Sequence, residues 1–424
     1  MDKPVACFEI SSQAIRLLIG YELSDAIVVE YTKEEKGSFL NPDGTIKDAD
    51  GLIATLKGFQ QIDDENAKLH IRIQEVCLLL PSCGLSVYTS QKSTVVVSPD
   101  YKVAKLDITN VLTQINKEMP PQGVSIVDII PDNFILDDGQ RREDPPLGLQ
   151  SRTLAIQAKV FGLPTTIVHG YKSSLERAGF RVKQCAVAAY SYAELHKTYK
   201  DLPDSYVLVD IGGDITTVSL IGRGSPYRAF NFARGGNSLT EKIASSLHLG
   251  LNEAETLKCR FGYDDRRISY NPPIAVSKNE KGGDTSYFQQ DLNQAIVEWC
   301  DDYLPHLNVA IDNALKNMGI GKDSLPILFT GGTSRLNGLL KILKNHYQGR
   351  KLLSITPRSV GAREPKWSPL LGLIRACSHY RGSLEDGTHG VISVSRGDSM
   401  QADRASKGPR RLKVKTSRED DDII

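Results

Sequence analysis

Tyr206-Val207-Leu208-Val209-Asp210-Ile211-Gly212-Gly213-Asp214-Ile215-Thr216-Thr217-Val218-Ser219-Leu220-Ile221 is the stretch on which the fold turns. A hydrophobic run ends on an acidic residue, passes through a turn of small residues and resumes as a second apolar run, the signature of a β-hairpin. The amino terminus states the same pattern less cleanly. Val5-Ala6-Cys7-Phe8-Glu9-Ile10 leads through Ser11-Ser12 into Ile15-Arg16-Leu17-Leu18-Ile19-Gly20. Two such hairpins about 200 residues apart read as an internal duplication. A duplicated α/β lobe implies a cleft between the copies, where ligands collect.

The turns suit phosphate. A triphosphate with Mg²⁺ needs inward-facing donors and carboxylates that orient the hydrated metal. In the second hairpin Asp210 would face the Mg²⁺ water shell, Gly212, Gly213 and Asp214 would make the turn, and Thr216 or Thr217 would supply a hydroxyl. A plain Asp-Gly-Gly hairpin is the bland alternative. In the first hairpin Glu9 takes the acidic place, Ser11 and Ser12 replace a glycine-bearing turn, and Arg16 follows. A Cβ at position 11 restricts positive φ. Glu9 and Asp210 are thus the expected metal carboxylates. The adenosine end is expected from Gly331-Gly332 with Arg335, from Gly235-Gly236-Asn237 at a helix start, and from the pair Glu255 and Lys258. That pair also suits an exposed helix salt bridge.

Between the hairpins the sequence changes texture several times. A helix is expected over Asp50 to Gln61 and a strand over Ile71 to Leu80, ending at Pro81. Val87 to Val97 places β-branched residues on both sides of a polar turn, Ile108 to Met119 reads as a helix and Val124 to Ile130 as a strand. Leu154 to Val160 and the helix Thr165 to Ala178 complete a small α+β unit inserted into the first lobe. Val187 to Thr198 reads as a crossover helix. Residues 264 to 288 read as a loop or weak hairpin, and a long helix from Gln289 towards Met318 should break at Pro305. Pro369 to Ala376 is a last apolar helix.

These segments predict an α/β fold of two duplicated lobes, mixed sheets flanked by helices, with the insert in the first lobe. The expected division is 1–83 first-lobe core, 84–168 insert, 169–203 return to the first lobe, 204–240 second-lobe core, 241–325 second-lobe subdomain, 326–367 second-lobe core, 368–382 crossover helix and 383–424 flexible tail.

Composition excludes several classes. The 52 Lys and Arg balance 51 Asp and Glu, leaving a formal charge of +1 and no global pull towards nucleic acid. The basic run Arg410-Arg411-Leu412-Lys413-Val414-Lys415 lacks interleaved aromatic residues for base stacking, and Glu419-Asp420-Asp421-Asp422 follows it. Seven scattered cysteines with no CxxC spacing read as reduced buried side chains. Without a leader or an apolar run of about 18 residues, a cytoplasmic protein with at most peripheral membrane contact is expected.

The two hairpins, Gly331-Gly332 and Leu371-Gly372-Leu373 resemble the actin-like ATPase superfamily. Within it, Ile129 to Gly139, Asp144-Pro145-Pro146-Leu147-Gly148-Leu149, Glu253-Ala254-Glu255-Thr256-Leu257-Lys258 and Phe261-Gly262 resemble the FtsA family of bacterial cell-division proteins, over roughly residues 5 to 380. The resemblance implies an ATP- and Mg²⁺-binding adaptor at the inner face of the membrane at the division site. It would polymerise with itself, bind the tail of the tubulin-like protein FtsZ through the second lobe, and meet later division proteins through the insert. Alanines at Val187-Ala188-Ala189-Tyr190, where the family often carries Glu-Pro, leave no water-orienting acid, so hydrolysis should be slow or absent. A PilM-like pilus adaptor, a nucleotide-free scaffold and a small-metabolite kinase are the alternatives.

Overall fold

The computed structural model describes residues 4–379, apart from 25, 65–68, 267–270, 279–282, 317, 319–320 and 322–323, together with 392–396. The duplication is visible in the sheets. In the first lobe Val5–Ile10, Ala14–Leu23 and Ala26–Lys36 form an antiparallel meander, and Glu75–Leu80 and Arg181–Val187 add parallel strands beyond Val5–Ile10. The second lobe repeats the plan. There Tyr206–Ile211, Thr216–Gly222 and Ser225–Phe232 make the meander, with Ile327–Thr330 and Leu352–Ser354 parallel to it. The parallel members read as unbroken apolar runs, Val76 to Leu80 and Ile327 to Phe329, because both faces are covered.

The insert is a separate small core. Ser86–Val95, Thr153–Pro164, Val124–Leu136 and Arg141–Arg142 form its sheet in that order, and the helix Lys105–Asn116 buries Ile108, Val111 and Ile115 against Phe134, Leu154 and Ile156. Asp107 caps that helix by accepting from the Ala104 and Val97 amides. The turn expected within Val87 to Val97 does not form. The segment holds neither Gly nor Pro, and Thr89 to Ser93 pair in unbroken register with Ala155 to Lys159.

Three other expectations change. The run Ile71 to Leu80 divides at Gln74, and Leu69–Ile73 leaves the five-stranded sheet to pair with Gln61–Asp64, with Ile71 and Ile73 still buried in the first-lobe core. The helix Gln289–Leu315 continues through Pro305, since Trp299, Tyr303, Leu304, Leu307 and Ile311 bury both halves in the second-lobe core. Within the tail, Ile392–Arg396 is a strand antiparallel to Leu69–Ile73, so this part is paired rather than free. Its Ile-Ser-Val-Ser alternation suits that role. The basic and acidic runs from 410 to 422 lie outside the described residues.

Two helices join the lobes. The crossover helix Ala188–His196 follows the last first-lobe strand, and Ser368–His379 returns to lie against it, burying Leu370, Leu371, Leu373 and Ile374 in the first-lobe core. Contact is close enough that a Cβ on Gly372 would sit 1.8 Å from the Ser191 carbonyl oxygen. Only glycine fits there. Among the described residues no helix is long and apolar enough to cross a membrane.

Candidate functional site

The two hairpin turns face each other across a cleft of about 570 Å³. Its floor is acidic. Asp210 lies one residue before the end of its strand, in register with Thr330, and its Oδ2 accepts a hydrogen bond from the Tyr192 hydroxyl at 3.1 Å. Burial and the nearby Glu9 charge push the Asp210 carboxyl up to about 6, against the Tyr192 bond and Arg16. Gly331 is held at φ +88°, and a Cβ there would stand 2.3 Å from Asp210 Oδ1. Position 331 therefore requires glycine on two counts.

Opposite lies an ion network. Arg16 donates to Glu9 at 2.9 Å and to Glu34 at 2.8 Å, and Lys366 pairs with the other oxygen of Glu34. Burial raises the Glu9 pKa, and Arg16 offsets only part of that. A carboxylate so engaged is poorly disposed to hold a metal, whereas Asp210 keeps an oxygen turned towards Gly331. No group of three or more His, Cys, Asp or Glu suited to a metal occurs among the described residues.

The turns themselves are tied together. Ser11 Oγ donates to the Ala14 carbonyl at 2.9 Å and accepts from the Ala14 amide at 3.1 Å, closing a tight turn without positive φ. That removes the need for glycine at 11. The Gln13 amide lies over Gly213 and donates to the Asn237 side chain, which donates in turn to Asp214 at 2.6 Å. The Asp214 amide approaches Ser12 Oγ at 3.4 Å. The first amides of the helix Gly236–Ser246 do not face the cavity. Gly236 and Asn237 donate to the Gly212 and Gly213 carbonyls, both at 2.9 Å, and the Thr333 hydroxyl joins them on Gly212.

At the far end Glu255 pairs with Lys258, which also donates to Thr240 at 2.8 Å and to the Gly236 carbonyl at 3.0 Å. Burial opposes the Glu255 charge, but bonds from Lys258 and Thr240 hold its pKa below the ordinary value. Arg335 lines the cleft while pairing with Glu364 at 2.9 Å.

Of the residues expected at the site, Glu9, Ser11, Ser12, Arg16, Asp210, Gly212, Gly213, Thr217, Gly236, Asn237, Glu255, Lys258, Gly331, Gly332 and Arg335 line one cleft. Three do not. Thr216 points into the second-lobe core, bonded to the Arg234 carbonyl at 2.7 Å and to the Tyr303 hydroxyl, because alternation sends 215 and 217 to the other face. Gly235 packs beneath the Gly212 and Gly213 carbonyls, and Asp214 stands behind the turn as the acceptor of Asn237. Sequence reasoning missed Gln13, Lys36, Tyr192, Thr333 and Lys366, all of which line the cleft. Only Gln13, inside the first turn, carried a local signal.

Duplicated five-stranded lobes around a common cleft, with an α+β unit inserted in the first, define the actin-like ATPase fold. The family model described as cell division protein FtsA matches residues 207–372, and that of the SHS2 domain inserted in FTSA matches 84–161. The chain belongs to the FtsA family of bacterial cell-division proteins. Its relatives include cell division protein FtsA of Staphylococcus epidermidis, 24% identical over 86% of this chain and 77% of the relative. FtsA of Enterococcus faecalis is 22% identical over 90% and 84%. Among solved structures, the PilM–PilN type IV pilus biogenesis complex aligns at TM-score 0.56 and 16% identity over 91% of this chain and 99% of that one. MreB 5 of Spiroplasma citri bound to AMPPNP aligns at 0.51 and 12% over 88% and 95%. These two likenesses concern the fold. Family and fold together make the chain an FtsA-like cytoskeletal adaptor in the general sense.

Proposed function

We propose that the chain is an ATP-binding adaptor of bacterial cell division that polymerises, binds the FtsZ tail through its second lobe and links FtsZ filaments to the membrane by peripheral or partner-borne contact at the division site. The observation that carries the nucleotide part is the convergence of both hairpin turns, Gly331 and the Glu255–Lys258 pair on one cleft. Phosphates would lie between Ser11-Ser12 and Gly212-Gly213, with ribose and base towards Glu255, Lys258 and Arg335. Asp210 is the carboxylate suited to the water shell of a Mg²⁺ ion carried in with the phosphates. The family likeness supports the division partners, FtsZ, a second copy and later division proteins, rather than any surface described above.

The crossover helix begins Ala188-Ala189 and turns Tyr192 onto Asp210, so no carboxylate from it reaches the cleft to orient water. Bound nucleotide would therefore act by favouring one lobe arrangement and its polymer. The test is equilibrium binding of a fluorescent ATP analogue to the full chain and to Asp210→Ala, followed by co-pelleting with FtsZ filaments with and without ATP. Saturable binding displaced by ATP, lost in the variant and coupled to pelleting is expected. Absence of binding by folded wild-type protein would leave a nucleotide-free scaffold.

A further inference from the structure

The tail strand Ile392–Arg396 holds a place that neither the cleft nor the duplication of the lobes accounts for. It adds to Leu69–Ile73, which Gln61–Asp64 borders on the other side, so three strands lie side by side on the first lobe. Their register matches two alternations. Ile392 and Val394 stand opposite Ile73 and Ile71, both buried in the first-lobe core, whereas Ser393 and Ser395 stand opposite the exposed Arg72 and His70. Across the sheet Val394, Ile71 and Ile62 share one row, and Ser395, His70 and Asp63 share the next. A slip by one residue would set serines against the core-facing positions, so the pairing selects a segment that is apolar at alternate places.

The two sides of this pairing are unequally anchored. Leu69–Ile73 is held by its own buried isoleucines and by Gln61–Asp64, so its far edge presents backbone N–H and C=O groups in a fixed order. The tail strand is five residues long and reaches that edge by closing residues 380–391 into a loop after the helix Ser368–His379. So short an attachment rests on few ladder hydrogen bonds, and the entropy lost in ordering the segment offsets much of what they contribute. It is therefore exchangeable.

We propose that the edge of Leu69–Ile73 is a docking site for an extended peptide segment with apolar residues at alternate positions and small polar residues between them, and that Ile392–Arg396 occupies it as a tethered competitor. A partner segment of that pattern enters by strand addition and releases the tail strand. None of these residues lines the nucleotide cleft, so docking here stands apart from what the cleft binds.

The probe is a labelled synthetic peptide covering residues 391–397, titrated by fluorescence anisotropy into the full chain as wild type, Val394→Pro and Ile392→Asp. Proline removes a ladder N–H, and aspartate breaks the apolar row without touching the backbone. Both changes lie beyond the last helix, and thermal melting checks that the variants fold. The variants should bind the peptide saturably. Wild type should bind about tenfold more weakly or worse, because its own strand competes at an effective concentration of about a millimolar. A peptide carrying Ile392→Asp and Val394→Asp should bind none of the three. Hydrogen exchange supplies a second readout, since alternate residues of Leu69–Ile73 face opposite neighbours. In Val394→Pro the amides facing the tail should exchange about tenfold faster or more, while those facing Gln61–Asp64 keep their protection. Equal peptide affinity in wild type and variants, equal affinity for the two peptides, no binding by folded variants, or unchanged exchange each overturns the proposal.

Discussion

The two turns occupy equivalent places in duplicated sheets yet solve the same geometric problem with different chemistry. The second uses Gly212 and Gly213, whose carbonyls receive the start of the following helix, and a glycine at 331 that opens space beside Asp210. The first has Ser11, Ser12 and Gln13, closed by a serine hydroxyl, and Pro81 follows the strand that corresponds to Ile327–Thr330. Each floor carboxylate is also treated differently. Asp210 carries a neutral tyrosine hydroxyl, whereas Glu9 carries a guanidinium. One lobe keeps its acid exposed to whatever enters the cleft, and the other has neutralised it internally.

The largest expected contrast is between Gly331→Ala and Pro81→Ala. The first forces a side chain into positive φ and against Asp210, and should cost about 3 kcal/mol or more of folding stability. Pro81→Ala removes only a ring from a chain break and should cost about 1 kcal/mol or less. Chemical denaturation measures both, and equal losses would remove the asymmetry.

A second contrast is in pH dependence. Because the Asp210 carboxyl is raised above its unfolded value, the folded state holds more protons between 3.8 and about 6. Its contribution is therefore fully present below pH 3.8, and stability falls as pH rises towards 6. Asp210→Asn should flatten that window and gain about 2 kcal/mol at neutral pH relative to wild type. Burial raises Glu9 in the same direction, so Glu9→Gln should gain less at neutral pH, since Arg16 loses one of its two carboxylate partners. Denaturation curves at several pH values decide it, and an equal gain in both variants would show that Arg16 does not protect Glu9.

Smaller effects separate the connections from the turns. Tyr192→Phe removes a donor that favours the charged Asp210, so its carboxyl should titrate still higher and stability at neutral pH should drop by about 1 kcal/mol. Carboxyl titration by NMR checks the direction. Gln13→Ala breaks the bridge to Asn237 at an exposed position and should change global stability by about 0.5 kcal/mol or less, while hydrogen exchange quickens in both turns. Exchange that quickens in the first turn alone would mean that the bridge does not couple them.

Legibility followed the range over which each feature is determined. The hairpins, the duplicated order and the insert could be read directly, because alternation and turn chemistry act within a few residues. Asp210, Gly212 and Gly213 came with them. Thr216 could have been separated from Thr217 by the same alternation. The unbroken helix at Pro305 was not legible, since long-range packing around Trp299 and Tyr303 offsets a local defect. Nor was the strand Ile392–Arg396, whose partner lies more than 300 residues earlier.

By itself the sequence determined that two similar lobes exist, where their acidic turns lie and which family they join. The tertiary structure decided which charges meet there. Tyr192 reaches Asp210 from a helix between the lobes, Lys366 reaches Glu34 from the returning chain, and Lys36 borders the first turn through strand register. Such contacts depend on how sheets and helices stack, and side-chain electrostatics act through space at distances that sequence separation does not encode.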